Sequence, residues 1–162
     1  MSKALVIIDI QNDTPKNYKE VIDNINKAID WAANNKLHII YIRHENLSAG
    51  AKLFIPNTEG SKLASDLKII SKNIFTKHKG SALTCEEFVK YINNNKIDEF
   101  YIAGGDATIC VKSTCYNLRK SDYQVTVLSD CITSWSKKKI PEMIEYYKSK
   151  GCNIISLYDL SI

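Results

Sequence analysis

Apolar and polar residues alternate along this chain in blocks of two kinds. Short unbroken apolar runs are separated by longer stretches in which apolar side chains recur every three or four positions. Ala4–Ile8 is the first run and reads as a strand buried on both faces. Beyond Pro15, the residues Val21, Ile22, Ile25, Ala28, Ile29 and Ala32 form one stripe, the spacing of a helix lying on a sheet, closing near Lys36. Leu37–Ile42 is a second strand, and a long loop runs from His44 to Gly60. A short helix is predicted around Lys62–Leu67 and a third strand at Asn73–Thr76. Thr84, with Glu87 three residues on, has the form of a helix start whose apolar face is Phe88, Tyr91 and Ile92. Phe100–Ala103, Val125–Leu128 and Asn153–Leu157 complete six strands. Helices are predicted over Val111–Lys120 and from Pro141 to Gly151.

Strands and helices taking turns, with continuous apolar strands, predict an α/β fold: a mainly parallel six-stranded sheet with helices on both faces. The 162 residues suit a single domain, 1–162, with a full hydrophobic core. No apolar run approaches the roughly 20 residues of a membrane span, so no membrane partner is expected. The opening Met1-Ser2-Lys3-Ala4-Leu5 enters a strand without the layout of a signal peptide, and the expected location is cytoplasmic. A net charge of +4 is mild and scattered. Its one run, Lys137-Lys138-Lys139, reads as a solvated face, so no nucleic acid is expected as partner. Five cysteines with no Cys-x-x-Cys spacing argue against a disulfide framework or a zinc site, and leave at least one thiol to be explained.

Open parallel sheets bind ligands beyond the carboxyl ends of their strands, which directs attention to the residue after each apolar run. The first run ends in Asp9, within Ile7-Ile8-Asp9-Ile10-Gln11-Asn12-Asp13, where a carboxylate is costly to bury unless paired. The third ends in Lys77, within Phe75-Thr76-Lys77-His78-Lys79-Gly80-Ser81. The fourth feeds Gly104-Gly105-Asp106-Ala107-Thr108-Ile109-Cys110-Val111 and then a helix. Cys110 is thus expected at a helix N-terminus, where the dipole and a nearby ammonium would lower the thiol pKa. An acid, a cation and a thiol from three strand ends suit covalent acyl transfer. Asp9 would take the thiol proton, Lys77 would hold Asp9 ionised, and backbone N–H groups of Ala107 and Cys110 would receive the oxyanion. Plainer readings stand beside these: Asp9 as a loop cap, Cys110 as a small buried apolar residue, and Lys79 in place of Lys77.

The same three segments, with Ser81-Ala82 beyond Lys77 and Ser129-Asp130 after the fifth strand, resemble the signature segments of the isochorismatase-like cysteine hydrolases. That superfamily includes nicotinamidases and N-carbamoylsarcosine amidases, and the resemblance covers nearly the whole chain. It implies a Rossmann-like, three-layer α/β/α fold and a catalytic triad of Cys110, Asp9 and Lys77. It also implies a cis peptide at Asp106–Ala107 that aims the oxyanion donors, and hydrolysis of a small amide or carbamoyl C–N bond through a thioester. Isochorismatases proper replace the cysteine and cleave a vinyl ether, so Cys110 favours C–N hydrolysis. Nicotinamidases share an Asp-x-His plus distant His metal cluster, whereas Arg43-His44-Glu45-Asn46 offers a single histidine; no metal and no cofactor are expected. Two departures stand out. Ala107 and Thr108 replace the Thr and acid that often precede the nucleophile, and the connection from Asp9 to the first helix is short for the family.

Gln11, His44 and Trp135 are the expected substrate-binding side chains, with Phe54 and Tyr116 as further candidates for an apolar wall. Arg43, His44 and Glu45 fit a pocket lining or a surface loop with its own ion pairs. The resemblance, with the apolar and basic stretch Ser134–Ile140, points to a homodimer or homotetramer. Two rival functions remain on the sequence: ether cleavage or another hydrolase activity on the same fold, and a non-catalytic small-molecule or nucleotide-binding domain cradling an anion at Gly104-Gly105. The absence of Gly-x-Gly-x-x-Gly after the first strand, where Asp9 would repel phosphate, weighs against the latter.

Overall fold

The computed structural model describes residues 2–160. Its six strands are β1 (Ser2–Ile8), β2 (His38–His44), β3 (Ile74–Lys77), β4 (Ile97–Gly104), β5 (Gln124–Ile132) and β6 (Asn153–Ile155). They form one sheet in the order β3-β2-β1-β4-β5-β6, and every neighbouring pair is parallel. The alternation of side chains along β1 divides the core in two. Ala4, Val6 and Ile8 pack with Phe88, Val111, Leu118 and Tyr147 on one face; Leu5 and Ile7 pack with Ile22, Ile25, Ala28 and Ile29 on the other. The helices supplying those layers are α2 (Ile22–Asn34) on the second face, and α3 (Glu86–Asn94), α4 (Cys110–Lys120) and α5 (Ile140–Ser149) on the first. Two single-turn helices, α1 (Lys16–Lys19) and α6 (Leu157–Leu160), flank them. The result is the expected three-layer α/β/α arrangement, with a sheet that is parallel throughout.

Three local expectations give way to tertiary contacts. The helix expected to run on from Pro15 is broken after Lys19, which leaves α1 as a separate turn whose Tyr18 is buried below the sheet's carboxyl edge. No helix forms at Lys62–Leu67, because that backbone pairs with the segment after β1 instead of with itself. Asn12 N–H donates to Lys62 O (2.9 Å), Ala64 N–H donates to Ile10 O (3.0 Å), and Gln11 and Leu63 form an antiparallel bridge. Thr84 does not cap α3, since its hydroxyl donates back to Ser81 O (2.7 Å) within the preceding turn, and Cys85 takes the cap position. β5 also runs past Leu128, so Ser129 and Asp130 lie inside the strand.

The strand order reverses between β1 and β4, and at their carboxyl ends the two backbones nearly touch. Gly104 has φ 117°, and a Cβ there would lie 2.1 Å from Ile8 O, so only glycine fits. Gly105 N–H donates to the same Ile8 O at 2.9 Å. This closure brings the β4–α4 turn over the end of β1, where Asp9 sits.

Candidate active site

Three elements deliver three side chains to one point. The chain turns directly after β1, with Asp9 at φ 54° and its N–H donating to Ile42 O (2.9 Å). Lys77 ends β3, in register with His44 at the end of β2. Cys110 opens α4. Lys77 Nζ lies 3.0 Å from Asp9 Oδ2 and 3.4 Å from Cys110 Sγ. Lys77 and Asp9 are buried, at 1% and 5% exposure, while Cys110 retains some accessibility. Lys79, the alternative cation, is exposed. A third contact was not foreseen: Nζ also lies 3.0 Å from His44 Nδ1.

The electrostatics differ from the expectation of a resting thiolate. Burial pushes the Cys110 thiol up, the Asp9 charge adds to the rise, and Lys77 only partly opposes it, leaving a pKa of about 12. Asp9 is also raised, by burial, against the opposing pull of the Lys77 ammonium and of its hydrogen bond with the Cys110 thiol. One ammonium faces two acids, and the carboxyl, being intrinsically far more acidic, holds the negative charge. The expected lowering of the thiol pKa therefore fails for a physical reason: burial, joined by the neighbouring carboxylate, outweighs the Lys77 ammonium. Asp9 Oδ1 is buried with no hydrogen-bond partner among the described residues, a carboxylate oxygen with spare capacity to accept a proton.

The turn before Cys110 corrects two expectations. The cis bond is Gly105–Asp106, one residue earlier than Asp106–Ala107. Gly105 is held to glycine by crowding, since a Cβ there would lie 2.5 Å from the Tyr18 ring. Ala107 is not an oxyanion donor: its N–H is spent on Thr133 O (2.8 Å), and its carbonyl accepts from the Tyr147 hydroxyl. Gly105, Thr108, Ile109 and Val111 N–H groups are likewise engaged, with Ile8 O, Asp106 Oδ1 and, for the last two, Asp106 O. The N–H groups of Asp106 and Cys110 donate to nothing among the described residues, and they are the two that remain for an incoming oxygen.

Asp106 itself ties this rim together. Its Oδ1 accepts from Thr108 N–H and hydroxyl (both 2.8 Å), and its Oδ2 accepts from the Tyr18 hydroxyl and Trp135 N–H (both 2.9 Å). Burial alone would raise its pKa, but hydrogen bonds from Thr108, Trp135 and Ser134 prevail and hold it below the usual carboxylate value. Sequence reasoning missed this role, although an acid directly after a glycine pair at a strand end was a signal for it.

The sulfur opens into a cavity of about 300 Å³, walled by Tyr18, His44, Leu53, Phe54, Ile109 and Trp135. His44 and Trp135 thus stand where they were expected. Gln11 does not. It is fully buried, its amide donating to His44 O (2.9 Å) and Ser61 O (2.7 Å) and accepting from His44 N–H (2.8 Å), so it fixes the end of β2. Tyr116 lies away from the cavity beside Lys150. A larger hollow of about 580 Å³ lies beside β3, but its charged linings are already paired, Arg43 with Glu45 (3.2 Å) and Lys62 with Glu59 (2.6 Å), and it lacks all three convergent groups. Among the described residues no cluster of three His, Cys, Asp or Glu side chains is arranged to hold a metal ion, and no helix is long and apolar enough to cross a membrane.

The sequence and fold have counterparts in known proteins. The uncharacterized isochorismatase family protein YddQ of Bacillus subtilis is 26% identical over 143 residues, 83% of this chain and 79% of that protein. An isochorismatase family protein from Desulfovibrio vulgaris superposes with a TM-score of 0.90 at 19% identity, covering 98% of this chain and 96% of the other. The nicotinamidase PncA of Bacillus subtilis superposes with a TM-score of 0.85 at 20% identity, over 96% of this chain and all of the other. The isochorismatase domain model matches residues 3–159, from the first strand to the last helical turn. With the sheet order, the strand-end site and this match in agreement, the chain belongs to the isochorismatase-like hydrolase family.

Proposed function

We propose that the protein hydrolyses a C–N bond in a small, neutral amide or carbamoyl compound through a thioester on Cys110. The observation that carries this reading is the single buried ammonium of Lys77 bridging Asp9 Oδ2 at 3.0 Å and Cys110 Sγ at 3.4 Å. In the first half-reaction Asp9 accepts the thiol proton as sulfur attacks the carbonyl carbon. The N–H groups of Asp106 and Cys110 receive the oxyanion. Collapse breaks the C–N bond, and the departing nitrogen takes the proton held by Asp9. In the second half-reaction Asp9 accepts a proton from water as its oxygen attacks the thioester carbonyl. Collapse breaks the C–S bond, the acid leaves, and the sulfur takes back the proton held by Asp9. Because the resting thiol is protonated, proton transfer and attack are coupled.

The preference for an uncharged substrate rests on the cavity's charges. Asp9 is neutralised by Lys77, and both oxygens of Asp106 are occupied by protein donors. The remaining walls are largely apolar. An anionic or cationic substrate would give up its hydration without gaining a counter-charge. The test is ammonia release from a panel of small amides and carbamoyl compounds, with mass spectrometry of the quenched enzyme. A productive substrate should leave an acyl adduct on Cys110, and Cys110→Ala should abolish turnover; turnover surviving that substitution would refute the reading.

A further inference from the structure

His44 carries an inference that deepens this reading and rests on it for the reaction concerned. An ammonium has three N–H donors, and Lys77 has three neighbours to receive them: Asp9 Oδ2, His44 Nδ1 and Cys110 Sγ. Nδ1 must therefore accept, which makes the imidazole neutral and places its own hydrogen on Nε2. Nε2 makes no hydrogen bond to the described residues, and it is not among the buried atoms lacking one, so it stays accessible. The ring lines the cavity and meets Phe54 edge-on, at 5.9 Å between centroids and 85° between planes. Sulfur and imidazole both lie within hydrogen-bond reach of one nitrogen. The free N–H is therefore within the length of one small acyl group of the reacting carbonyl.

We infer that His44 is a specificity-determining residue, whose Nε2–H, fixed by Lys77, selects neutral acyl compounds carrying a second hydrogen-bond acceptor beyond the scissile carbonyl. The surroundings keep the donor in place over a wide pH range. Burial, the Lys77 charge and the neighbouring His78 lower the imidazole pKa to about 4. An acceptor such as a ring nitrogen or second carbonyl meets the N–H; a purely hydrocarbon acyl group leaves it without a partner once water is displaced.

Two measurements test this. The first needs no ligand: long-range ¹H–¹⁵N spectra of the histidine rings, assigned with His44→Phe, should show the neutral Nε2–H tautomer of His44 at pH 6 to 8. An imidazolium or an Nδ1–H tautomer would overturn the inference. The second compares benzamide with the three pyridinecarboxamide isomers, by equilibrium binding to Cys110→Ser and by turnover of the native enzyme. At least one isomer should bind about ten-fold more tightly than benzamide, the worth of one neutral hydrogen bond, and His44→Phe in the same background should bring that ratio near one. A general structural effect of the substitution would weaken all four compounds together and leave the ratio unchanged. No preference in the parent, no binding of any of the four, or a preference that survives His44→Phe overturns the inference. A His44-dependent preference in binding with no turnover would uphold it and refute C–N hydrolysis of these compounds.

Discussion

Asp9→Asn should make Cys110 more reactive toward an alkylating agent while removing its catalytic activity. The two effects part because Asp9 has two consequences for the sulfur. In the native protein the ammonium lies 3.0 Å from the carboxylate and 3.4 Å from the sulfur. At an effective dielectric of about 20, each contact corresponds to about 5 kcal/mol of attraction for a full negative charge. One cation cannot ionise both acids, and the carboxylate's charge cancels much of its benefit to the thiol. Asparagine keeps an oxygen for Lys77 but carries no charge, so the ammonium then acts on sulfur alone. Asp9→Asn removes the carboxylate's repulsion of the thiolate, a charge in the same three-group cluster and worth roughly three pH units. This takes the thiol from about 12 toward the ordinary range while burial still holds it up. The thiolate fraction would rise about 10³-fold, offset by the lower nucleophilicity of a less basic thiolate, for a net gain of roughly 30-fold. The assay is the rate of carbamidomethylation of Cys110 by iodoacetamide at pH 7.5, read by mass spectrometry, with Cys110→Ala as background. Amide turnover is measured on the same preparations and should fall by at least about 10²-fold, the contribution of a positioned base. Equal or slower alkylation in Asp9→Asn would refute the argument that the carboxylate holds the thiol protonated.

Other outcomes follow from neighbouring contacts. Lys77→Met leaves Asp9 buried without its counter-charge, at a cost of about 3–5 kcal/mol; for a chain of this size the melting temperature should drop by roughly 10 °C. His44 has a folded pKa of about 4, below its ordinary value, so the unfolded chain binds the extra proton first. Its contribution to stability is complete above about pH 6.5 and is lost as the pH falls toward 4. Urea melts between pH 7 and 4.5 should show a smaller acid loss in His44→Phe, the difference between proteins removing the opposite contribution of Asp9. Asp106→Asn exchanges one acceptor oxygen for an NH₂ group and cannot satisfy Tyr18, Thr108 and Trp135 together. The loss of one charge-assisted bond, about 1.5–3 kcal/mol, should lower kcat/KM by 10- to 100-fold and alter the tryptophan emission.

The sheet was readable because its evidence is repeated. The central strands β1, β2 and β4 hold unbroken runs of apolar residues, every major helix has a buried stripe, and many side chains contribute to each assignment. The strand-end rule then drew attention to Asp9, Lys77 and Cys110 without knowledge of how the strands were ordered, and the family resemblance selected them over their plainer readings. Contacts between distant segments of backbone were less legible. Nothing in Lys62–Leu67 announces that Ile10 and Asn12 will take its hydrogen bonds, so a helical composition was overruled by a partner some fifty residues away. Gln11 looked like a site residue because it follows Asp9, yet its amide is consumed by the backbones of His44 and Ser61. The cis bond lies one residue earlier than expected, and Ala107 N–H is taken by Thr133 O, a partner arriving from the end of β5 that the sequence did not disclose. The direction of the thiol's pKa differs from the expectation for a related reason: a helix terminus is visible in sequence, whereas the burial of the sulfur and its distances to one cation and one carboxylate are not.

The saturation of Lys77 has a consequence for the hydrogen economy of the reaction. With its donors directed at Asp9, His44 and Cys110, the lysine acts as a fixed electrostatic brace and has no mobile hydrogen to contribute. Under the proposed hydrolysis, the hydrogen that leaves sulfur would be the one that departs with the amine, carried across by a single carboxylate. Acylation on that reading would be a closed relay, balanced within three residues, with bulk water consumed only when the acid is released.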